Sequence, residues 1–146
     1  MVALRSPQVL SDDDRRRVLH EWNATAAEFP DACVHELFER QVERSPHAVA
    51  VVAGSSRVTY RELDERANQV AHLLRGLGVG PEVLVGVCLE RSVDLVVALL
   101  GVWKAGGAYV PLDPAYPVER LEFMTRDARV RVVLTDHGCK HLLPRA

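Results

Sequence analysis

The sequence predicts an α/β fold, a partial and mostly parallel sheet flanked by helices, and three observations predict it. From Val83 onward, short β-branched runs alternate with helical stretches, strand–helix–strand–helix–strand, which is half of a doubly wound sheet with right-handed crossovers expected. The stretch Trp103 to Arg120, WKAGGAYVPLDPAYPVER, packs a helix stop, a strand, a turn and a helix start into one compact unit. Upstream, Thr59-x-x-Glu62 is a capping box opening an apolar stripe at helical spacing.

The elements follow in order. Ser11 caps a charged helix whose Asp12, Asp13 and Asp14 favour the positive helix end and lie three or four residues before Arg15, Arg16 and Arg17. That spacing reads as ion pairing on a solvated face. Trp22 to Pro30 is a low-periodicity connector. Val34, Leu37, Phe38 and Val42 recur at helical spacing until Ser45-Pro46. Ala48 to Ala53 reads as a buried strand, with Arg57 to Thr59 returning after a turn. Along the Thr59 helix Leu63, Ala67, Val70, Leu74 and Leu77 form one apolar stripe, and Gly76, Gly78 and Gly80-Pro81 end it. Val83 to Leu89 is the next strand, Ser92 caps an almost wholly apolar helix to Ala105, and Ala108 to Leu112 is a strand. Pro117 suits a first helical position, for a helix to about Ala128, and Val130 to Leu134 is the last strand. Residues 1–30 form an N-terminal helix and linker, and 31–146 the α/β part.

At 146 residues and a net charge of −2, the chain can bury one core and has no basic field for nucleic acid or an anionic membrane. The start has no apolar signal region, and the longest apolar run, Leu95 to Trp103, is too short to span a bilayer. Cys33, Cys88 and Cys139 are odd in number and widely spaced, which favours free thiols and a cytoplasmic location.

Few residues look chemical. Gly76 to Pro81 follows a helix and precedes a strand, the wrong order for a dinucleotide turn. Gly101-x-x-x-x-Gly106 has a phosphate-loop spacing, but Gly107 and Ala108 stand where Lys and Ser or Thr must be, and Lys104 lies inside the helix instead. His35-Glu36 begins a zinc-protease pattern that Glu39 breaks. His137, Cys139 and His141 read as a solvated terminal segment; His20, His47 and His72 have no partner at motif spacing. Asp113 and Asp136 follow predicted parallel strands, where functional residues often sit, with turn and cap duty as the simpler role.

Three segments together resemble the amino-acid adenylation domains of nonribosomal peptide synthetases. Trp22-Asn23-Ala24-Thr25 is similar to the W-N-x-T signature preceding them. Thr59, Tyr60, Glu62 and Leu63 resemble the T-Y-x-E-L core motif, with Val58 replacing its leading leucine. Trp103 to Asp113, with Lys104, Ala105, Gly106, Ala108, Tyr109, Pro111 and Asp113, resembles the motif L-K-A-G-x-A-Y-V-P-L-D, with tryptophan replacing leucine. The resemblance implies the N-terminal part of the adenylate-forming fold. It implies a parent reaction in which ATP and Mg convert an amino acid to an aminoacyl adenylate, then pass it to a phosphopantetheine thiol on a carrier domain. The family's phosphate loop, nucleotide-binding residues, substrate pocket and catalytic lysine lie beyond residue 146. This chain is therefore expected to hold no catalytic, cofactor-binding or metal residue and to be inactive alone. Implied partners are condensation and carrier domains and an MbtH-like helper. A non-catalytic docking remnant and a piece of an acyl-CoA synthetase-type ligase are the alternatives.

Overall fold

The computed structural model describes residues 10–143, and its contacts divide the chain after Asp31. In the first unit, α1 (Asp12–Arg16) runs on into a π-helical turn, Arg17–Glu21. Ser11 Oγ accepts the Asp14 N–H at 3.1 Å, the expected cap. Asp13 and Asp14 meet Arg16 and Arg17 at 3.4 and 4.0 Å, exposed pairs worth at most about 0.5 kcal/mol each. Asn23 Nδ2 donates to the Val18 carbonyl at 2.6 Å and closes the last turn.

The second unit holds α2 (Val34–Arg44), β1 (Val49–Ala53), β2 (Ser56–Thr59), α3 (Tyr60–Gly76), β3 (Leu84–Cys88), α4 (Val93–Ala105), β4 (Ala108–Pro111), α5 (Val118–Asp127) and β5 (Val132–Thr135). A 3-10 turn, Lys140–Leu142, ends the described part. Two sheets form. β1 and β2 are an antiparallel hairpin; β4, β3 and β5 are parallel in that order. β3 is thus central, and the chain crosses from β3 to β4 and back past β3 to β5. Right-handed crossovers in opposite directions place α4 and α5 on opposite faces.

The side chains agree. Val85 and Val87 of β3 pack with Ala98 and Val102 of α4 and with Ala71 and Leu74 of α3. Cys88 faces the other way, with Leu112, Leu121 of α5 and Cys139. A Cβ on Gly86 would lie 3.0 Å from Leu112 and 3.1 Å from Val133, so this face of β3 admits only hydrogen there. A third cluster joins Leu63 and Ala67 of α3 to Val93, Val97 and Leu100 of α4, under the β1–β2 hairpin.

Three expectations need correction. The run Ala48 to Ala53 is not buried throughout: Val49 and Val52 are 44% and 59% exposed, because a two-stranded hairpin covers only one of its faces. Pro117 stands just before α5 in extended backbone, φ −54° and ψ 145°, and its carbonyl accepts from Leu121. Cys139 is not part of a solvated tail; it is a core residue.

Helices α3, α4 and α5 end alike. The N–H of Val79 donates to the Leu74 carbonyl, that of Gly107 to Val102 and that of Val130 to Thr125, each after a left-handed residue. Gly78 and Gly106 take that conformation without a Cβ penalty, but α5 uses Arg129 at φ 51°. Arg129→Gly is therefore expected to stabilise the protein by about 0.5–1 kcal/mol, read as a higher urea midpoint at unchanged m. A lower midpoint would mean that the Arg129 side chain outweighs its backbone strain.

Candidate functional site

The first motif is spent on a helix start. Thr59 Oγ1 accepts the Glu62 N–H at 3.3 Å, while Glu62 Oε2 accepts from the Thr59 N–H and hydroxyl, both at 2.8 Å. Those two bonds, the backbone one first, hold the Glu62 carboxyl below its usual range. The Tyr60 ring lies 5.9 Å from Phe38 of α2, and Leu63 is buried. Tyr60 and Arg61 N–H groups donate to Ala48 and Pro46, tying α3 to the start of β1.

The second motif carries one buried charge. Lys104, 6% exposed, sits in the last turn of α4, whose other charged residue is Asp94 in the first turn. Its Nζ hydrogen-bonds Glu39 of α2 and lies 2.9 Å from Asp64 Oδ1 of α3. Asp64 Oδ2 accepts from Asn68 at 2.9 Å, whereas Oδ1 has charge pairing with Lys104 but no hydrogen bond of good geometry. Burial pulls the Lys104 pKa down; the hydrogen bond to Glu39 and the contacts with Asp64 outweigh it, and the net shift is upward. The Lys104 carbonyl accepts from the Arg75 guanidinium of α3. One lysine thus joins three helices.

The rest of the motif shapes the exit from α4. A Cβ on Gly107 would fall 2.7 Å from Val79 and 3.1 Å from the Val83 carbonyl. Ala108, Tyr109 and Pro111 pair with Leu84, Val85 and Val87 of β3. The Tyr109 ring meets Trp103 edge-on at 5.8 Å. Asp113 Oδ1 accepts the Ala115 N–H at 2.9 Å, an Asx turn, and Arg120 stacks over the Tyr116 ring at 4.3 Å. An open cleft of about 720 Å³ lies at this end of β3 and β4, lined among others by Glu90, Arg91, Asp113, Tyr116 and Arg120. Asp136, at the end of β5, accepts the Cys139 N–H at 2.7 Å, and that bond, with the others it accepts, keeps its carboxyl low.

The remaining candidates do not converge. Glu36 accepts the Cys33 N–H at 2.8 Å and so caps α2. His137 and His141 are exposed while Cys139 turns inward, and the described residues contain no cluster of three or more metal-ligand side chains. The only lysine in either motif is committed to two carboxylates, Gly78 and Gly106 close helices, and Gly101 and Gly107 allow close packing. Glu39 and Asp64, the partners of Lys104, escaped the sequence reading. The signal available was a lysine inside an apolar helix, which requires a carboxylate without saying which.

A three-stranded parallel segment with helices on both faces, carrying both motifs in order, belongs to the AMP-binding enzymes: the chain is a member of that family, which it matches over residues 38–145. Within it, the chain corresponds to the N-terminal part of a nonribosomal peptide synthetase adenylation domain. It is 47% identical to bacitracin synthase 3 of Bacillus licheniformis over 135 residues, 92% of this chain and 2% of that protein. It superposes on the crystal structure of the nonribosomal peptide synthetase FmoA3 with a TM-score of 0.85 at 38% identity, covering 93% of this chain and 14% of that one. For the N-terminal subdomain of Klebsiella oxytoca NpsA, in complex with 3-hydroxybenzoyl-AMSN, the TM-score is 0.70 at 26% identity, covering 77% and 28%. The chain spans only 2–4% of the length of bacitracin synthase 3 and similar synthases. No helix among the described residues is long and apolar enough to cross a membrane.

Proposed function

We propose that this segment is the scaffold of an amino-acid-activating unit, residues 31–146 opening its adenylation domain and residues 1–30 supplying the linker before it. The parent reaction is amino acid plus ATP to aminoacyl adenylate and pyrophosphate, followed by transfer to a phosphopantetheine thiol. The observation that carries the reading is the Lys104 centre, where the motif's one cation is spent on Glu39 and Asp64 and not on substrate. Thr59, Glu62 and Asp113 are likewise engaged within the chain. Condensation and carrier domains are the partners this reading implies, with an MbtH-like helper as a third; no residue here is assigned to any of them.

The isolated 146-residue chain is expected to catalyse no ATP–pyrophosphate exchange with any amino acid, and measurable exchange would overturn the scaffold assignment. Grafted in place of the corresponding residues of a relative's adenylation domain, it is expected to leave the host's amino-acid preference unchanged. A switched preference would show that specificity resides here after all.

A further inference from the structure

The proposed function leaves one cluster unused, and it is sulfur. Cys88 closes β3, and Cys139 stands on the turn after β5; they are 0% and 3% exposed and share an apolar cluster with Leu112 and Leu121. Cys88 and Cys139 make up half of that four-residue buried cluster. Each is held from its own side. Cys88 is in register with Thr135 in the β3–β5 pairing. Cys139 is fixed by its N–H to Asp136 Oδ1 at 2.7 Å, and the following Lys140 N–H donates to the Asp136 carbonyl at 3.1 Å. Cys33 is exposed, at the start of α2.

The geometry points to a peroxide-sensitive dithiol: hydrogen peroxide joins Cys88 and Cys139 in an intrachain disulfide that fastens the turn after β5 to the end of β3. A small neutral oxidant suits the place. Burial pushes both thiols up, Cys88 to about 11, so thiolate is scarce and the reaction is slow. Cys139 reacts first, because a three-residue turn opens more readily than the central strand. Its thiolate attacks one peroxide oxygen, the O–O bond breaks, and the departing hydroxide takes a proton to become water, leaving a sulfenic acid. The Cys88 sulfur then attacks the Cys139 sulfur, the S–O bond breaks, and a second water leaves with the Cys88 proton. Two thiols lose two electrons and one peroxide becomes two waters. The cross-link encloses α4, β4, α5 and β5 and so restricts the unfolded chain.

The test uses the full chain carrying Cys33→Ser, which removes the competing thiol and puts a good N-cap residue before α2. After hydrogen peroxide, the mass is expected to fall by two hydrogens. Digestion should link the Cys88 and Cys139 peptides, and Tm should rise until dithiothreitol reverses it. Separate sulfinic acids on the two cysteines, or two free thiols after prolonged exposure to excess peroxide, would each overturn the proposal.

Discussion

Lys104→Ala is expected to destabilise the protein by about 3 kcal/mol, the lower end of what breaking a buried ion pair costs. The Lys104 side chain is 5% exposed, Asp64 20% and Glu39 48%. Without the ammonium, Glu39 turns to water at little expense, but Asp64 keeps a charge it cannot hydrate. Lys104→Met retains the aliphatic stem and isolates that term. Adding Asp64→Asn removes the stranded charge while leaving a side-chain acceptor for Asn68. The double variant is therefore expected to be more stable than Lys104→Met alone, and additive losses in a urea cycle would refute the pairing. The pH dependence follows from the raised Lys104 pKa. The stabilisation is complete below the unfolded-state lysine value of about 10.4 and disappears as pH rises through the higher folded value. Native and Lys104→Met proteins should thus differ by a constant amount near neutrality and converge as the pH rises into alkali. A gap that closed already between neutrality and mildly acid pH would assign the effect to the carboxylates instead.

How far the fold was legible depends on where its signals are local. Capping boxes and helix stops act within one turn, so α3 and α4 were readable to within a residue or two of their ends, Thr59–Glu62 and Gly106 being sufficient. Strand burial is set by neighbours far along the chain. Nothing in Ala48 to Ala53 says that among the described residues it pairs with β2 alone, so the apolar run reads as a buried strand. Strand order was equally hidden. The alternation of elements requires a parallel sheet, but that β3 becomes its centre shows only in its pairing with both β4 and β5.

The local roles of the motif residues were partly legible. Missing phosphate-loop residues and a broken zinc pattern are visible in the sequence, and the structure supplies the reason each surviving residue is there. Glu36 caps α2 and Asp113 makes a turn. What sequence could not supply was the pairing of Lys104 with Glu39, 65 positions away. Cys139 was misjudged for the same reason: its terminal position suggested solvent, and only the β3–β5 pairing brings it under Cys88.

Gly101→Ala tests the packing of α4 on α3 from the opposite direction, by adding one carbon. In a free helix that change stabilises by about 1 kcal/mol. Here the new Cβ would lie 2.6 Å from Val70 Cγ1, 2.8 Å from Val70 Cβ and 3.3 Å from the Ala67 carbonyl oxygen. A rotamer change moves the first atom but neither of the others, which belong to the α3 helix itself. The helices must separate, and the Leu63–Ala67–Leu100 cluster loses contact along the seam. Overpacking of this kind costs about 1–3 kcal/mol, enough to reverse the propensity gain, and Gly101→Val should cost more. Val70→Ala removes the Cγ atoms and leaves the Cβ, so it should recover part of the loss and not all. Full recovery would mean that a side chain sets the spacing; a Gly101→Ala protein as stable as the native one would mean that α3 and α4 are not held this close in solution. Because Lys104 lies one turn further along α4, the same displacement should loosen its grip on Asp64. Gly101→Ala and Lys104→Met are therefore expected to be less than additive, a coupling that propensity alone would not produce.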